Sequence, residues 1–187
     1  QDGIDNREGV IAANATVNVN AASLDNRKGQ VVAADTGTLT IKTAGLMDNR
    51  EGEMAAADSL SVTANRLDNS GGFIGAEQGR VGLTSSKALM NAGGTIAARD
   101  TLTLDSAGLN NDEGLIQSGA DTIVDTHGNS ISNRDNQTTG GIVSFGTLHV
   151  NAGSINNQHG MLAVVKETEV WAKNVDNRDG TLASDST

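Results

Sequence analysis

Nine asparagines recur along the chain: Asn6, Asn26, Asn49, Asn69, Asn91, Asn111, Asn133, Asn157 and Asn177. They are 20, 23, 20, 22, 20, 22, 24 and 20 residues apart. Each stands in one motif: an apolar residue, any residue, Asn, a variable stretch ending in Gly, then an apolar residue two places on. Ionic side chains repeat beside them. Asp5, Asp25, Asp48 and Asp68 precede the asparagine, and Arg7, Arg27 and Arg50 follow it. A column of Asp beside a column of Arg has the chemistry of a calcium or sugar site. It equally has that of a solvated charge row, with Arg paired to carboxylates above and below, and this is the favoured reading. A column of amides suits either a polar binding row or a ladder in which each stacked Asn bonds the next. The ladder is favoured, which makes the nine asparagines scaffolding.

Catalytic chemistry finds little support. There is no Gly-rich phosphate loop and no Gly-x-Ser-x-Gly. His127, His149 and His159 lack metal-ligand spacing. A glycan lyase or hydrolase built on stacked strands needs paired carboxylates on one face. Asp112/Glu113 and Asp135 are available, but nothing distinguishes them from a charged surface. The sequence therefore reads as no enzyme, with no catalytic residue, no metal site and no cofactor; a β-helix glycan-active enzyme is the least favoured alternative.

The elements that hold these residues follow from the repeat. In Leu24–Gly45, Asp25-Asn26-Arg27-Lys28-Gly29 is a turn, since Asn and Gly tolerate positive φ. Val31 and Ala33 alternate with Gln30 and Val32, and Thr38 to Lys42 alternates with period two, as in a half-buried strand. Two residues before each Asn stand Ile4, Leu24, Met47, Leu67, Leu89, Leu109, Ile131, Ile155 and Val175. Two after each turn Gly stand Ile11, Val31, Met54, Ile74, Ile96, Ile116, Val143, Leu162 and Leu182. With 36% apolar residues overall, two wholly apolar columns are far from chance. A column of Ala or Ser follows, with Phe145 and Val164 as exceptions. The pattern predicts an all-β chain: a right-handed parallel β-helix (β-solenoid) of about nine rungs, 20 to 24 residues each, over residues 1–187. Neither end carries an atypical capping repeat, so the expectation is a single β-helix segment, an uncapped fragment of a longer array.

Composition agrees. Aromatics are only 2%, which suits a narrow core of Val, Ile, Leu and Ala, and there is no Pro to break a strand ladder. A net charge of −10 argues against nucleic acid and anionic lipid as partners. There is no Cys, hence no disulfide framework. No apolar run is long enough to span a bilayer.

The motifs Leu24-Asp25-Asn26-Arg27-Lys28-Gly29, Leu67-Asp68-Asn69-Ser70-Gly71-Gly72-Phe73-Ile74 and Leu89-Met90-Asn91-Ala92-Gly93-Gly94-Thr95-Ile96-Ala97-Ala98 resemble the filamentous haemagglutinin repeat, along essentially the whole chain. That repeat builds stalks of bacterial exoproteins secreted by the two-partner route. The resemblance implies export through an outer-membrane partner transporter, display at the bacterial cell surface, and a structural shaft mediating adhesion to host cells or surfaces. Its partner would be a protein or glycan receptor. The same repeat occurs in contact-dependent growth-inhibition toxins, where the segment would be a stalk or receptor-presenting region.

Contact residues are sought where the repeat breaks. Between Asn133 and Gly141 the turn is lengthened, and Arg134, Asp135, Asn136, Gln137, Thr138 and Thr139 form a loop expected to project as a contact site. Ile123-Val124 departs from clean alternation. Phe145, in the small inward column, is expected to widen the core. Phe73, Leu115, Ile142, Met161 and Trp171 are expected to face outward as an apolar patch.

Overall fold

A computed structural model describes residues 2–138 and 140–185. It is a parallel β-solenoid of nine rungs, and every strand pairing within it is parallel. In the rung of Asn26, a short strand Leu24–Asp25 leads into the turn, a four-residue strand Gln30–Ala33 leaves it, and a five-residue strand Leu39–Thr43 follows a second bend. The four-residue strands stack into a nine-stranded sheet. The short and the five-residue strands form two further faces, which join into one fifteen-stranded sheet through the nine-residue strands Leu148–Asn156 and Thr168–Asp176. At the roughly 4.8 Å spacing of neighbouring strands, nine rungs make a rod about 40 Å long.

Like stacks on like. Leu24 pairs in register with Met47, Val31 with Met54, Leu39 with Leu60 and Ile41 with Val62. These side chains and their equivalents are almost fully buried and fill one continuous core. Val175 and Leu182 keep the register of Ile155 and Leu162 but stand open in the ninth rung.

The turn differs in detail from the expectation. The left-handed residue is not the Asn and, outside rung seven, not the turn Gly, but the residue two after each Asn. Lys28, Glu51, Glu113 and Asp135 have φ of 56°, 56°, 59° and 57° there, and Gly71 and Gly93 have 64° and 62°. The Gly that follows serves close approach instead. A Cβ built on Gly29, Gly52, Gly72, Gly94 or Gly114 would run into the backbone carbonyl of the Asn one rung earlier. Glycine is needed there because backbone packs on backbone, not for its freedom in φ.

Rung seven departs in register. Gly141, at φ 64°, takes the first position of its strand opposite Leu115, so Ile142 pairs with Ile116, Val143 with Gln117 and Ser144 with Ser118. Ile142 and Ser144 are thus the inward pair, both 0% exposed, while Val143 faces out. Phe145 does not widen the core: it lies one residue beyond the strand and is 49% exposed. The physical reason is the inserted segment, after which a count from the last Gly of the turn runs one residue late. The strand Thr122–Asp125, by contrast, keeps its alternation, with Thr122 and Val124 inward and Ile123 outward. It looked irregular because a hydroxyl stands at a core position. Thr122 Oγ1 lies 2.7 Å from Ser118 Oγ, whose own hydroxyl is 3.3 Å from that of Ser144.

Two neighbouring glycines separate the two turn constraints. Gly94→Ala is expected to lower unfolding stability by about 3 kcal/mol, since backbone must move. Gly93→Asn, whose Cβ meets nothing within 4 Å, is expected to cost about 1 kcal/mol or less. Urea unfolding followed by circular dichroism measures both; equal effects would refute the close-approach account.

Candidate functional site

The repeated polar residues satisfy one another. Asn26 Nδ2 donates to Asn49 Oδ1 at 2.7 Å, to the Gly29 carbonyl at 3.2 Å and to the Glu53 carbonyl at 3.1 Å. The amide-to-amide step continues from Asn6 through all nine asparagines to Asn177, at 2.6 to 2.7 Å. Asn26, Asn49, Asn69, Asn91, Asn111, Asn133 and Asn157 are 0% exposed, so the amides cannot meet a ligand.

The ionic columns pair mainly within a rung, where the expectation placed the pairs between rungs. Arg7, Arg27, Arg50 and Arg178 each fork onto the Asp two residues earlier, for example Arg27 Nη2 to Asp25 Oδ2 at 2.6 Å. Longer contacts link rungs, Arg7 to Asp25 at 3.7 Å and Arg27 to Asp48 at 3.6 Å. In the sixth rung an Asp occupies the Arg position, and Arg134 of the seventh reaches across to Asp112 at 2.6 Å. The guanidinium of Arg7 holds the Asp5 carboxyl down to about 2. Arg27 lowers Asp25, and Arg178 lowers Asp176.

The lengthened turn does not project as a whole. Asn136 stands three residues after Asn133, where other rungs have Gly, and it is 0% exposed. Its Nδ2 donates to Asn133 Oδ1 at 2.7 Å and to the Asn111 carbonyl at 3.0 Å, and its Oδ1 accepts from the Met161 amide at 3.0 Å. In a regular rung the amide at the Met161 position finds the carbonyl of the earlier turn Gly, as Thr95 does with Gly72 at 2.8 Å. The Asn136 side chain therefore replaces a displaced peptide group and seals the insertion from below. Of the expected contact loop, Asp135, Gln137 and Thr138 are exposed, Arg134 is half-buried on Asp112, and Thr139 lies outside the described residues. Gln137 Nε2 donates to the Asp179 carbonyl at 2.6 Å, which folds the loop along the rod. Beneath it, His159 lies 3.4 Å from Asp135 and 3.7 Å from Asp179.

The expected apolar patch is divided. Ile142 is core, for the register reason given above. Phe73, Leu115 and Met161 share the outward column of the nine-stranded sheet, with Thr95 and Gly141 between them. Trp171 lies on the fifteen-stranded sheet, 59% exposed, its ring centroid 6.4 Å from that of His149. His149 Nδ1 is 2.8 Å from Glu169. Sequence reasoning missed one further cluster on that face: His127 Nε2 lies 2.5 Å from Asp105, which raises the imidazole above its usual range, with Asp125 adding to the effect. The only signal for it was register, since Asp105 pairs with Asp125 two residues before His127. Among the described residues no three His, Cys, Asp or Glu gather to hold a metal ion.

The profile of the haemagglutinin repeat family matches residues 1–51, 55–135 and 126–187. No curated protein and no solved structure matches the chain.

Two measurements probe the ladder and its charged margin. Asn91→Ala leaves Asn69 Nδ2 and Asn111 Oδ1 short of a buried partner and is expected to cost about 2 to 3 kcal/mol in urea unfolding. The charged margin acts through pH. A folded carboxyl held below its unfolded value stabilises fully above that value and loses its effect as pH falls through the folded one. The Asp5 contribution should thus be present above about pH 4 and vanish toward pH 2, flattening in Arg7→Met. An unchanged acid profile in that variant would remove the pair from the account.

Proposed function

Because the chain belongs to the haemagglutinin repeat family, we propose that it is a shaft segment of a large secreted bacterial exoprotein, displayed at the cell surface and mediating adhesion to host cells or surfaces. Export through an outer-membrane partner transporter is part of the same reading. One observation carries it: the amide ladder runs unbroken through all nine rungs and consumes the repeated polar groups internally. Residues so used extend and stiffen a rod. They leave recognition to whatever stands outside the repeat.

Two features stand outside it. The first is the inserted turn, where Gln137 reaches the Asp179 carbonyl in rung nine. The second is Trp171, an exposed aromatic with the amphipathic character common at contact sites. We assign the adhesive contacts of this segment to these features, with a cell-surface protein or glycan as partner.

Replacing Asn136–Gly140 by a single Gly restores a regular turn, so the variant should remain a rod by small-angle X-ray scattering. Cell binding of that variant, and of Trp171→Ala, is expected to fall several-fold against the unaltered chain. A rod that binds cells equally well in both variants would refute the assignment, and compact globular scattering from the unaltered chain would refute the shaft itself.

A further inference from the structure

The chain has three histidines, and all three stand in rungs six to eight. Each reaches a carboxylate on a neighbouring rung. His127 of rung six lies 2.5 Å from Asp105 of rung five. His149 of rung seven lies 2.8 Å from Glu169 of rung eight. His159 of rung eight lies between Asp135 of rung seven, at 3.4 Å, and Asp179 of rung nine, at 3.7 Å. The first four rungs are built otherwise. There, among the described residues, every ion pair uses Arg or Lys: Arg7, Arg27, Lys28, Arg50 and Arg66. Arg and Lys keep their charge throughout the physiological range, whereas histidine is the side chain that gains and loses its charge there.

The histidines also stand where the rod carries extra chain. The corner at residues 124–131 is two residues longer than its register partners at 104–109 and 150–155, and His127 lies in it at φ 50°. Asp105 and Asp125 pair in register beside it, two carboxylates that repel unless a cation stands with them. His127 Nδ1 is 3.8 Å from Asp125. The group facing Asp125 from rung seven is the neutral Asn151, which donates to it at 3.2 Å. His159, also at φ 50°, lies under the inserted turn, with Arg134 acting on Asp135 and Arg178 on Asp179. His149 stacks on the Trp171 ring, and both it and Lys166 act on Asp121 of rung six.

We propose that rungs six to nine are a pH-responsive segment of the rod: protonated, the three imidazoles clamp the inserted corner, the inserted turn and the Trp171 ring to the neighbouring rungs, and neutral they release them. Asp105 first, and then Asp125, raises the His127 imidazole above its usual range. The contact it makes is therefore complete below about pH 6.5, the ordinary histidine value, and is lost as pH rises through the raised one. Exposed pairs of this kind are individually weak. In a solenoid each acts on the rungs beside it, so it changes the local opening of a corner and leaves distant rungs as they were. The clamp belongs to the rod whatever the rod binds. Its consequence for adhesion, contact features held firmly in acid and loosely in mild base, rests on the adhesive reading above.

Backbone amide hydrogen exchange on the whole chain tests the clamp with no partner present. Protection, corrected for intrinsic exchange, is compared at about pH 5.5 and about pH 8.5, between which carboxylates, Arg and Lys hold their charge. At the amides of Thr126, Asn129 and Asp135, each bonded to a backbone carbonyl, protection is expected to be about two- to five-fold higher at the lower pH. The turn amides of Lys28 and Glu51, bonded in the same way in rungs two and three, should show no such change. Fluorescence anisotropy of Trp171, the chain's only tryptophan, should likewise be higher at the lower pH. His127→Asn, His149→Gln and His159→Asn together should abolish both differences. Asn accepts the left-handed backbone at 127 and 159 and carries no charge. None of the three side chains is in the core, so circular dichroism should show an unchanged fold. Equal protection or equal anisotropy at the two pH values would overturn the proposal. So would a change shared by rungs two and three, or a difference that survives in the triple variant.

Discussion

Everything in this rod depends on how closely one Asn turn lies on the next. The amide of each Asn spans the gap to the Asn above, at 2.7 Å where Asn26 meets Asn49. The Gly behind it lets the neighbouring backbone carbonyl come to where a side chain would otherwise be. Neither works alone. A side chain on the glycine would force the turns apart, and the amides would then lose their partners while still buried, at a cost that buried polar groups do not recover from water. With both in place, the Asn corner of each rung is fixed on the next, and the strands that flank it are set in register. The left-handed residue between Asn and Gly can then be Lys, Glu, Asp or His, because its strain is held by backbone hydrogen bonds to the next rung, such as Lys28 N–H to the Arg50 carbonyl at 3.2 Å.

This constraint explains which parts of the molecule were legible in the sequence. The Asn, the Gly and the inward columns answer to stacking, so they repeat, and their repetition gave the fold and eight of nine rungs in correct register. Rung seven was misread because its insertion lies inside the motif itself, where counting from Asn133 and counting from Gly141 give different answers. The strand sequence held the resolution: Gly-Ile-Val-Ser at Gly141–Ser144 aligns with Leu-Ile-Gln-Ser at Leu115–Ser118, serine on serine. Asn136 was illegible for a different reason. A side-chain amide standing in for a peptide group leaves no periodic trace, and a polar residue in a lengthened turn reads as exposed. The division of the outward apolar residues was likewise beyond periodicity, which says inward or outward but not which of the rod's faces is meant.

A solenoid of this kind separates support from recognition. Inward positions and the Asn corner are committed to neighbours one rung away, and stability is close to a sum of such nearest-neighbour terms. An insertion is therefore a local matter, provided its backbone groups find partners. Rung seven shows how that is done: the loop displaces one peptide group, and the Asn136 amide supplies a donor and an acceptor in its place. The rod can then carry Gln137 and its neighbours outside without disturbing rungs six and eight.

Outward positions are released from stacking, so their composition reports on what each face meets. The strand from Leu148 through Asn156 and its neighbour from Thr168 through Asp176 present His149, Glu169 and Trp171, side chains suited to a wet, selective contact. The nine-stranded sheet presents Ala, Val, Gly, Phe and Met with almost no charge, although nothing in the ladder demands it: Gln30, Glu53 and Thr95 show that polar residues fit the same column. Gln117 and Thr181 show the same on other rungs. The two sheets of the rod thus differ in what their outward side chains offer: ionic and aromatic groups on one, small and apolar groups on most of the other.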